Sequence, residues 1–175
     1  MTQSVVDLHG RRLSREAGLR DASAIRLRPV RAGDEPALLQ FVQTVSADSL
    51  RRRFCGSISL ASAAAALAQR LGADDVALIA EAPGTSSVVG HAAAYRTGPD
   101  QAEVAFVIAD AWQGHGLGSI MLSRLAAAVR EHGVRTLTAE VLPTNRAMLT
   151  VFARSPHAVE MWPGADGVEV RITLA

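Results

Sequence analysis

The pattern of apolar and polar residues along the chain predicts short strands that alternate with amphipathic helices. From Ile25 to Val30, apolar residues nearly alternate with arginines, as in a strand with one buried face. Asp34 and Pro36 predict the start of a helix, because aspartate suits the N-cap and proline suits the first turn. Apolar residues at helical spacing continue from there to Val45.

The same reasoning applies to the rest of the chain. Residues 46–49 are a second helix-cap signal that leads into residues 50–54. Helices are predicted over residues 61–71, 118–132 and 145–154, and strands over residues 76–80, 88–95, 102–109, 136–141, 158–162 and 168–174. Three of these strands are consecutive, which predicts an antiparallel meander. The element order therefore predicts one mixed α/β domain over residues 24–175. Residues 1–23 are polar and arginine-rich, and we expect a tail or one short surface helix there.

Composition narrows the class of protein. The chain has 175 residues, 49% of them hydrophobic and 20% charged, which suits one globular domain with a sizeable core. A net charge of +1 gives no electrostatic drive toward nucleic acid or anionic lipid. No apolar run approaches the roughly 20 residues that span a bilayer, and the N-terminus lacks the apolar segment of a secretory signal. We therefore expect a cytoplasmic protein with neither a nucleic-acid nor a membrane partner.

The reactive side chains exclude several kinds of chemistry. All 18 basic residues are arginine, which excludes a catalytic lysine and a Walker-type phosphate loop. A single cysteine, Cys55, excludes an intramolecular disulfide and a multi-cysteine metal site. No metal is expected.

A glycine-rich segment between the strand at 102–109 and the helix at 118–132 predicts an anion site. Its residues are Gln113, Gly114, His115, Gly116, Leu117, Gly118 and Ser119. Free N–H groups at a helix N-terminus, together with the helix dipole, favour negative charge. Glycines let the main chain approach an anion closely. The segment suits a phosphate or a diphosphate.

Three interpretations of this segment compete. A dinucleotide fingerprint, G-x-G-x-x-G, fails because its last position is Ser119 counted from Gly114, or Met121 counted from Gly116. Three strands also precede the loop, instead of the opening strand of a βαβ unit. A glycine-rich turn without any ligand is the second interpretation. The third is the pattern Q-x-x-G-x-G, from Gln113 to Gly118.

That pattern, between a strand and a long helix, resembles the acyl-CoA-binding motif of the GCN5-related N-acetyltransferase superfamily, and the resemblance extends over residues 25–174. It implies an α/β (α+β) fold, with a single domain whose mixed, mostly antiparallel sheet is flanked by helices and has a splayed central strand pair. It also implies acetyl-CoA as co-substrate. The loop from Gln113 to Gly118 would hold the diphosphate, Ser119 would also bind the coenzyme, and Val107, Ile108 and Ala109 would line the thioester. The family often has a basic residue at His115, whose imidazole could equally face solvent.

A second match lies at residues 142–148, around Asn145. In the family this asparagine often hydrogen-bonds the pantetheine arm, and an ordinary helix N-cap is the alternative. Many relatives have a tyrosine seven residues further on, as general acid for the thiolate, but this chain has Phe152. That departure puts a tyrosine acid in doubt. A thiol with a pKa of about 8.5 is a tolerable leaving group without one.

A base is needed because a lysine-like amine, with a pKa of about 10.4, costs roughly 4.6 kcal/mol to neutralise at pH 7. Glu103 is the candidate, since strand alternation places it on one face with Ala105 and Val107. A solvated carboxylate at the strand end is the alternative. Residues 46–54, 102–106 and 110–114 resemble segments of bacterial Pat-type protein lysine acetyltransferases, in which this glutamate is the base.

The resemblance implies transfer of an acetyl group to a primary amine, with a protein lysine as the favoured acceptor. Two alternatives stay open. One is a small-molecule amine or amino-acid acetyltransferase, and the other is a non-catalytic acyl-CoA-binding regulatory protein, which Phe152 motivates. His91 is expected to be a hydrogen-bonded structural histidine. Tyr95 is a conceivable replacement acid, and the arginines at 51–53 are either a solvated helix face or a substrate contact.

Overall fold

The fold is built on one large sheet, seen in a computed structural model that describes residues 15–19, 24–54, 56–69, 72 and 74–174. The strands are β1 (Arg15–Gly18), β2 (Ala24–Pro29), β3 (Val76–Glu81), β4 (Val88–Arg96), β5 (Gln101–Ile108), β6 (Thr136–Val141), β7 (Ala158–Pro163) and β8 (Val168–Thr173). The helices are α1 (Glu35–Gln43), α2 (Ala47–Phe54), α3 (Leu60–Ala68), α4 (Leu117–Glu131) and α5 (Arg146–Ala153), with a 3₁₀ turn at Asp110–Trp112.

The sheet confirms the predicted fold class. Its strand order is β1-β2-β3-β4-β5-β6-β8-β7, and every neighbouring pair is antiparallel except β5 and β6. That parallel pair is joined only where Gln101–Glu103 face Thr136–Thr138. Beyond Glu103 the two strands part, which is the splayed central pair that the resemblance implies. The gap opens toward the end of β5 that leads into the glycine-rich loop.

Helices cover both faces of the sheet. On one face, α4 places Leu117 and Met121 against Gly90 of β4, and α5 adds Phe152 to the same apolar cluster. On the other face, α1 and α3 bury residues such as Phe41 and Leu67 in a second cluster. Within the described residues, no helix has both the length and the apolar character needed to cross a bilayer.

The prediction of a tail or a short helix at the N-terminus is wrong for residues 15–18. Residues 15–18 form strand β1, which pairs antiparallel with β2, and neither a tail nor a helix is found there. An edge strand satisfies its backbone groups through its neighbour, so it can form without the alternating pattern that identifies strands in a sequence. Residues 1–14 and 20–23 lie outside the described residues, as does Cys55. The boundary at residue 24 stays a prediction.

The start of α1 is stabilised differently from the prediction. Asp34 occupies the N-cap position, but its side chain does not cap the helix. Its carboxylate accepts two hydrogen bonds from Arg28, both 2.8 Å, and one from the N–H of Arg31 at 2.7 Å. Arg28 also binds Glu81 at 2.6 Å, so one guanidinium joins β2, β3 and α1. Burial raises the pKa of Asp34, but these donors outweigh it and hold the pKa below its ordinary value.

Candidate active site

The loop after β5 presents a helix N-terminus that no side chain caps. Gly114 and Gly116 have positive φ angles of 81° and 93°, so they turn the chain through a region that favours glycine. Gly116 is the N-cap of α4 and offers no capping side chain. The first N–H groups of a helix have no acceptor within the helix, so those of Leu117, Gly118 and Ser119 are available to an anion.

Gly118 has a different function from the other two glycines. A Cβ atom there would lie 3.2 Å from Val151 of α5 and 3.6 Å from Ile108 of β5. The absence of a side chain therefore lets α4 pack closely against α5 and the end of β5. The sequence interpretation assigned all three glycines to close approach by an anion. The structure gives Gly118 a packing role.

A cavity of about 260 Å³ runs from this loop along the end of β5 to α5. Its walls include nine of the eleven residues predicted to bind the coenzyme, namely Val107, Ile108, Gln113, Gly114, Gly116, Leu117, Gly118, Ser119 and Asn145. Ala109 and His115 are not among them. Ala109 is buried, and its N–H donates to the carbonyl of Val89 at 2.9 Å. The structure thus brings most of the predicted residues together, while their binding role stays a prediction.

Other wall residues were not predicted to line this cavity. Phe106, Met148 and Val151 make much of the wall apolar, and Arg52 and Arg154 add two guanidinium groups. Arg52 comes from α2, far from the loop in sequence. Among the described residues, no group of three or more His, Cys, Asp or Glu side chains could hold a metal ion.

Asn145 lines the cavity, whereas Phe152 does not. Asn145 is the N-cap of α5, with its Oδ1 accepting from the N–H of Met148 at 3.2 Å, and it also lines the cavity. Both predicted roles are therefore geometrically compatible. Phe152 is only 1% exposed and packs edge to face on Phe106 at 6.1 Å between ring centroids. Phe106 forms the wall, and Phe152 lies in the core behind it.

A hydrogen-bonded cluster joins α2 to the glycine-rich loop between β5 and α4. We call Asp110, Ser46, Ser49 and Gln113 the Asp110 cluster. Asp110 accepts from the N–H of Ser46 at 2.8 Å and from the hydroxyls of Ser46 and Ser49, both at 2.9 Å. Gln113 Nε2 donates to Ser49 Oγ at 3.1 Å and to the carbonyl of Ile108 at 3.0 Å. Two of the Pat-like segments, residues 46–54 and 110–114, therefore meet in space.

The charge of Asp110 is stabilised by these donors. Burial raises the pKa of Asp110, but the hydrogen bonds from Ser46 and Ser49 outweigh it and lower the pKa below its ordinary value. The carboxylate is therefore ionised at neutral pH, and it holds the start of α2 against the turn that precedes α4.

Glu103 lies outside the cavity, at the point where β5 and β6 part. It is exposed, and it faces Thr138 in the last residue pair that joins the two strands. On its other side it is paired with Tyr95 of β4. It lies four positions before Val107 in the wall, a span of about 13 Å along a strand. Its role as a base stays a prediction.

His91 differs from the expected hydrogen-bonded histidine. It is fully buried on β4, and neither ring nitrogen has a hydrogen-bond partner within the described part of the chain. Burial, with a smaller contribution from the charge of Arg53, lowers its pKa to about 3; the nearby carbonyl of Leu67 opposes this shift without reaching hydrogen-bond geometry. The ring is therefore neutral in the folded protein.

Replacing His91 with leucine is expected to stabilise the protein, most of all at mildly acidic pH. The unfolded histidine binds a proton below about pH 6.5 and the folded one does not, so the wild type loses about 1.4 kcal/mol per pH unit from there toward pH 3. Urea unfolding at pH 7 and pH 5 should show that this loss is absent from H91L. An unchanged pH slope in H91L would contradict the assignment.

The observed architecture now identifies the class of protein. A mostly antiparallel sheet that splits at one parallel pair, with a glycine loop opening a helix beside the split, is the architecture of an N-acetyltransferase. A family model described as an acetyltransferase (GNAT) domain matches residues 24–155. The chain belongs to the GNAT acetyltransferase family.

Individual relatives agree with this assignment. The chain is 32% identical over 134 residues to Acetyltransferase Pat of Mycolicibacterium smegmatis, covering 73% of this chain and 39% of that protein. It is 34% identical over 139 residues to Acetyltransferase PA5475 of Pseudomonas aeruginosa, covering 74% of this chain and 73% of that protein. The crystal structure of the GNAT domain of S. lividans PAT superposes with a TM-score of 0.82 at 30% identity, covering 93% and 97% of the two chains. The chain thus spans about two fifths of the first relative's length.

Proposed function

We propose that this chain transfers the acetyl group of acetyl-CoA to a primary amine, and that the acceptor is a protein lysine. The observation that carries the proposal is the uncapped N-terminus of α4, which opens into a cavity beside the gap between β5 and β6. These residues fit a coenzyme A thioester. The helix end suits a diphosphate, and the gap leaves room for an extended arm.

Backbone geometry suggests which amide would polarise the thioester carbonyl. The N–H of Ala109 points toward β4, because it donates to Val89. Successive N–H groups of a strand point in opposite directions, so that of Ile108 points into the gap. Gln113 fixes this segment by donating to the carbonyl of Ile108. Because the N–H of Ala109 is already bonded to Val89, the N–H of Ile108 is the proposed donor to the thioester carbonyl.

Glu103 is the proposed base. A base is needed because roughly 4.6 kcal/mol is required to neutralise a lysine-like amine at pH 7. Glu103 is exposed and lies outside the cavity, which suits proton transfer through a water molecule. The amine nitrogen forms a bond to the acetyl carbon, the carbon–sulfur bond breaks, and the amine proton passes to Glu103. The thiolate leaves without a tyrosine acid, because position 152 is a buried phenylalanine.

Two relatives bear on the choice of acceptor. The relatives from M. smegmatis and S. lividans both carry the name Pat. The segments of this chain that resemble the Pat type, residues 46–54 and 110–114, meet in the Asp110 cluster. These observations favour a protein lysine. A non-catalytic acyl-CoA-binding protein is the second candidate, and the buried Phe152 is the observation that favours it.

Calorimetry is expected to show acetyl-CoA binding, and at least tenfold weaker binding of acetyl-pantetheine, which lacks the diphosphate. The reason is that the helix end would contribute only through the diphosphate. A transfer assay with lysine peptides and small primary amines then separates the candidates. Binding without any transfer would favour the regulatory protein, and equal affinity for the two thioesters would contradict the proposed loop.

A further inference from the structure

The three successive arginines of α2 have different surroundings. Arg51 and Arg52 both pair with Asp48 of the same helix. Arg53 has no carboxylate partner among the described residues. The side chains of Ser49, Arg52 and Arg53 follow helical spacing on one face, and this face contacts the sheet, since Ser49 binds Asp110 and Arg53 binds Tyr95.

The guanidinium of Arg53 is held in place, but its charge is not compensated. Its Nη2 donates to the hydroxyl of Tyr95 at 3.3 Å, and its Cζ lies 4.8 Å from the ring centroid of Phe54. Its Nε is buried and has no acceptor within the described part of the chain. A partly buried guanidinium that is fixed by aromatic contacts and has no carboxylate partner favours an anion beside it.

The position of Arg53 indicates which anion would bind. Tyr95 lies directly across from Glu103, so the two side chains share one face of the sheet with Cβ atoms about 5 Å apart. Tyr95 therefore connects Arg53 to the strand pair that carries the proposed base, and the charge of Arg53 also acts on His91 of the same strand. Arg52 lines the coenzyme cavity and Arg53 does not, so a phosphate of the coenzyme does not fit Arg53.

We propose that Arg53 binds a carboxylate of the acceptor and thereby holds the acceptor's amine beside Glu103. This inference rests on the proposed function and names a feature of its substrate. The carboxylate has two possible sources. It can be the side chain of an acidic residue next to a lysine in a peptide, or the α-carboxylate of a free amino acid.

Matched acceptors test the proposal. One pair of blocked tetrapeptides contains Asp-Lys or Asn-Lys, and a second pair is a free amino acid and its amide. The wild type is expected to show at least tenfold higher kcat/KM for the charged member of one pair, since a hydrogen bond to a charged group contributes about 1.5–3 kcal/mol. The pair that shows the preference identifies the source of the carboxylate.

The variant R53Q is expected to lose that preference. Its kcat/KM should fall about tenfold or more for the charged acceptor and less than about threefold for the neutral one, with acetyl-CoA affinity and melting temperature nearly unchanged. R51Q is the control, because Arg51 lies on the same helix with a side chain that is 63% exposed.

Three results would overturn the inference. The first is a wild type without preference in either pair. The second is an R53Q variant that loses activity equally for charged and neutral acceptors, which would indicate a structural role. The third is a wild type that acetylates none of the four acceptors. That third result also contradicts the proposed function, whereas the first two leave it intact.

Discussion

Replacing Glu103 with glutamine is expected to lower kcat for acetyl transfer by about a hundredfold to ten-thousandfold, the range typical of a lost general base. Acetyl-CoA affinity should change by less than about twofold, because Glu103 lies outside the cavity and next to no residue of the glycine-rich loop. Glutamine keeps the size of the side chain and removes its capacity to accept the amine proton. Calorimetry with acetyl-CoA and steady-state kinetics with a lysine peptide separate the two effects.

The matched control is E140Q, on the neighbouring strand β6, where Glu140 is exposed. It should retain wild-type turnover. A further check is the pH profile, since raising the pH supplies neutral amine and should recover part of the activity of E103Q. Full turnover by E103Q at pH 7 would remove Glu103 from the mechanism and leave the transfer to another base or to water.

The sheet and helices beyond residue 24 were predictable because each has a strong local pattern. Strand β3 contains a continuous apolar run from Val76 to Ala80, and α4 has apolar residues at helical spacing, so burial and period agree. Strand β1 has no such pattern and depends on pairing with β2, a contact that a local pattern does not reveal. The separation of β5 and β6 beyond Glu103 also depends on how two strands pair, so a local pattern does not reveal it either.

The candidate site likewise combines residues that the sequence predicts with residues that only the folded structure brings there. The loop from Gln113 to Ser119 is contiguous, so its glycines and its helix start are visible in the sequence. The contribution of α2 is not, because Ser49 and Arg52 reach the site from about 60 residues away. Asp110 could be placed beside the loop from the sequence, but its partners could not. Local pattern predicts the element, and tertiary packing decides what a polar side chain contacts.

Replacing Asp110 with alanine is expected to raise the KM for acetyl-CoA about tenfold to a hundredfold. The variant loses three hydrogen bonds to a carboxylate that fix Ser46 and Ser49, and Ser49 in turn holds Gln113 against the end of β5. The loop amides would then have to be ordered when the coenzyme binds. KM for the coenzyme, its calorimetric affinity and kcat at saturation are the measurements, with kcat expected to change least.

The pH dependence distinguishes this interpretation from a general loss of structure. The pKa of Asp110 is lowered in the fold, so its stabilisation is complete above the unfolded value of about 3.8 and disappears as the pH falls through the folded value. Between pH 5 and pH 8 the difference in KM between wild type and D110A should therefore be constant. D166A, in the exposed turn between β7 and β8, is the control and should behave as wild type. Wild-type KM in D110A would show that Asp110 does not organise the loop through Ser49 and Gln113.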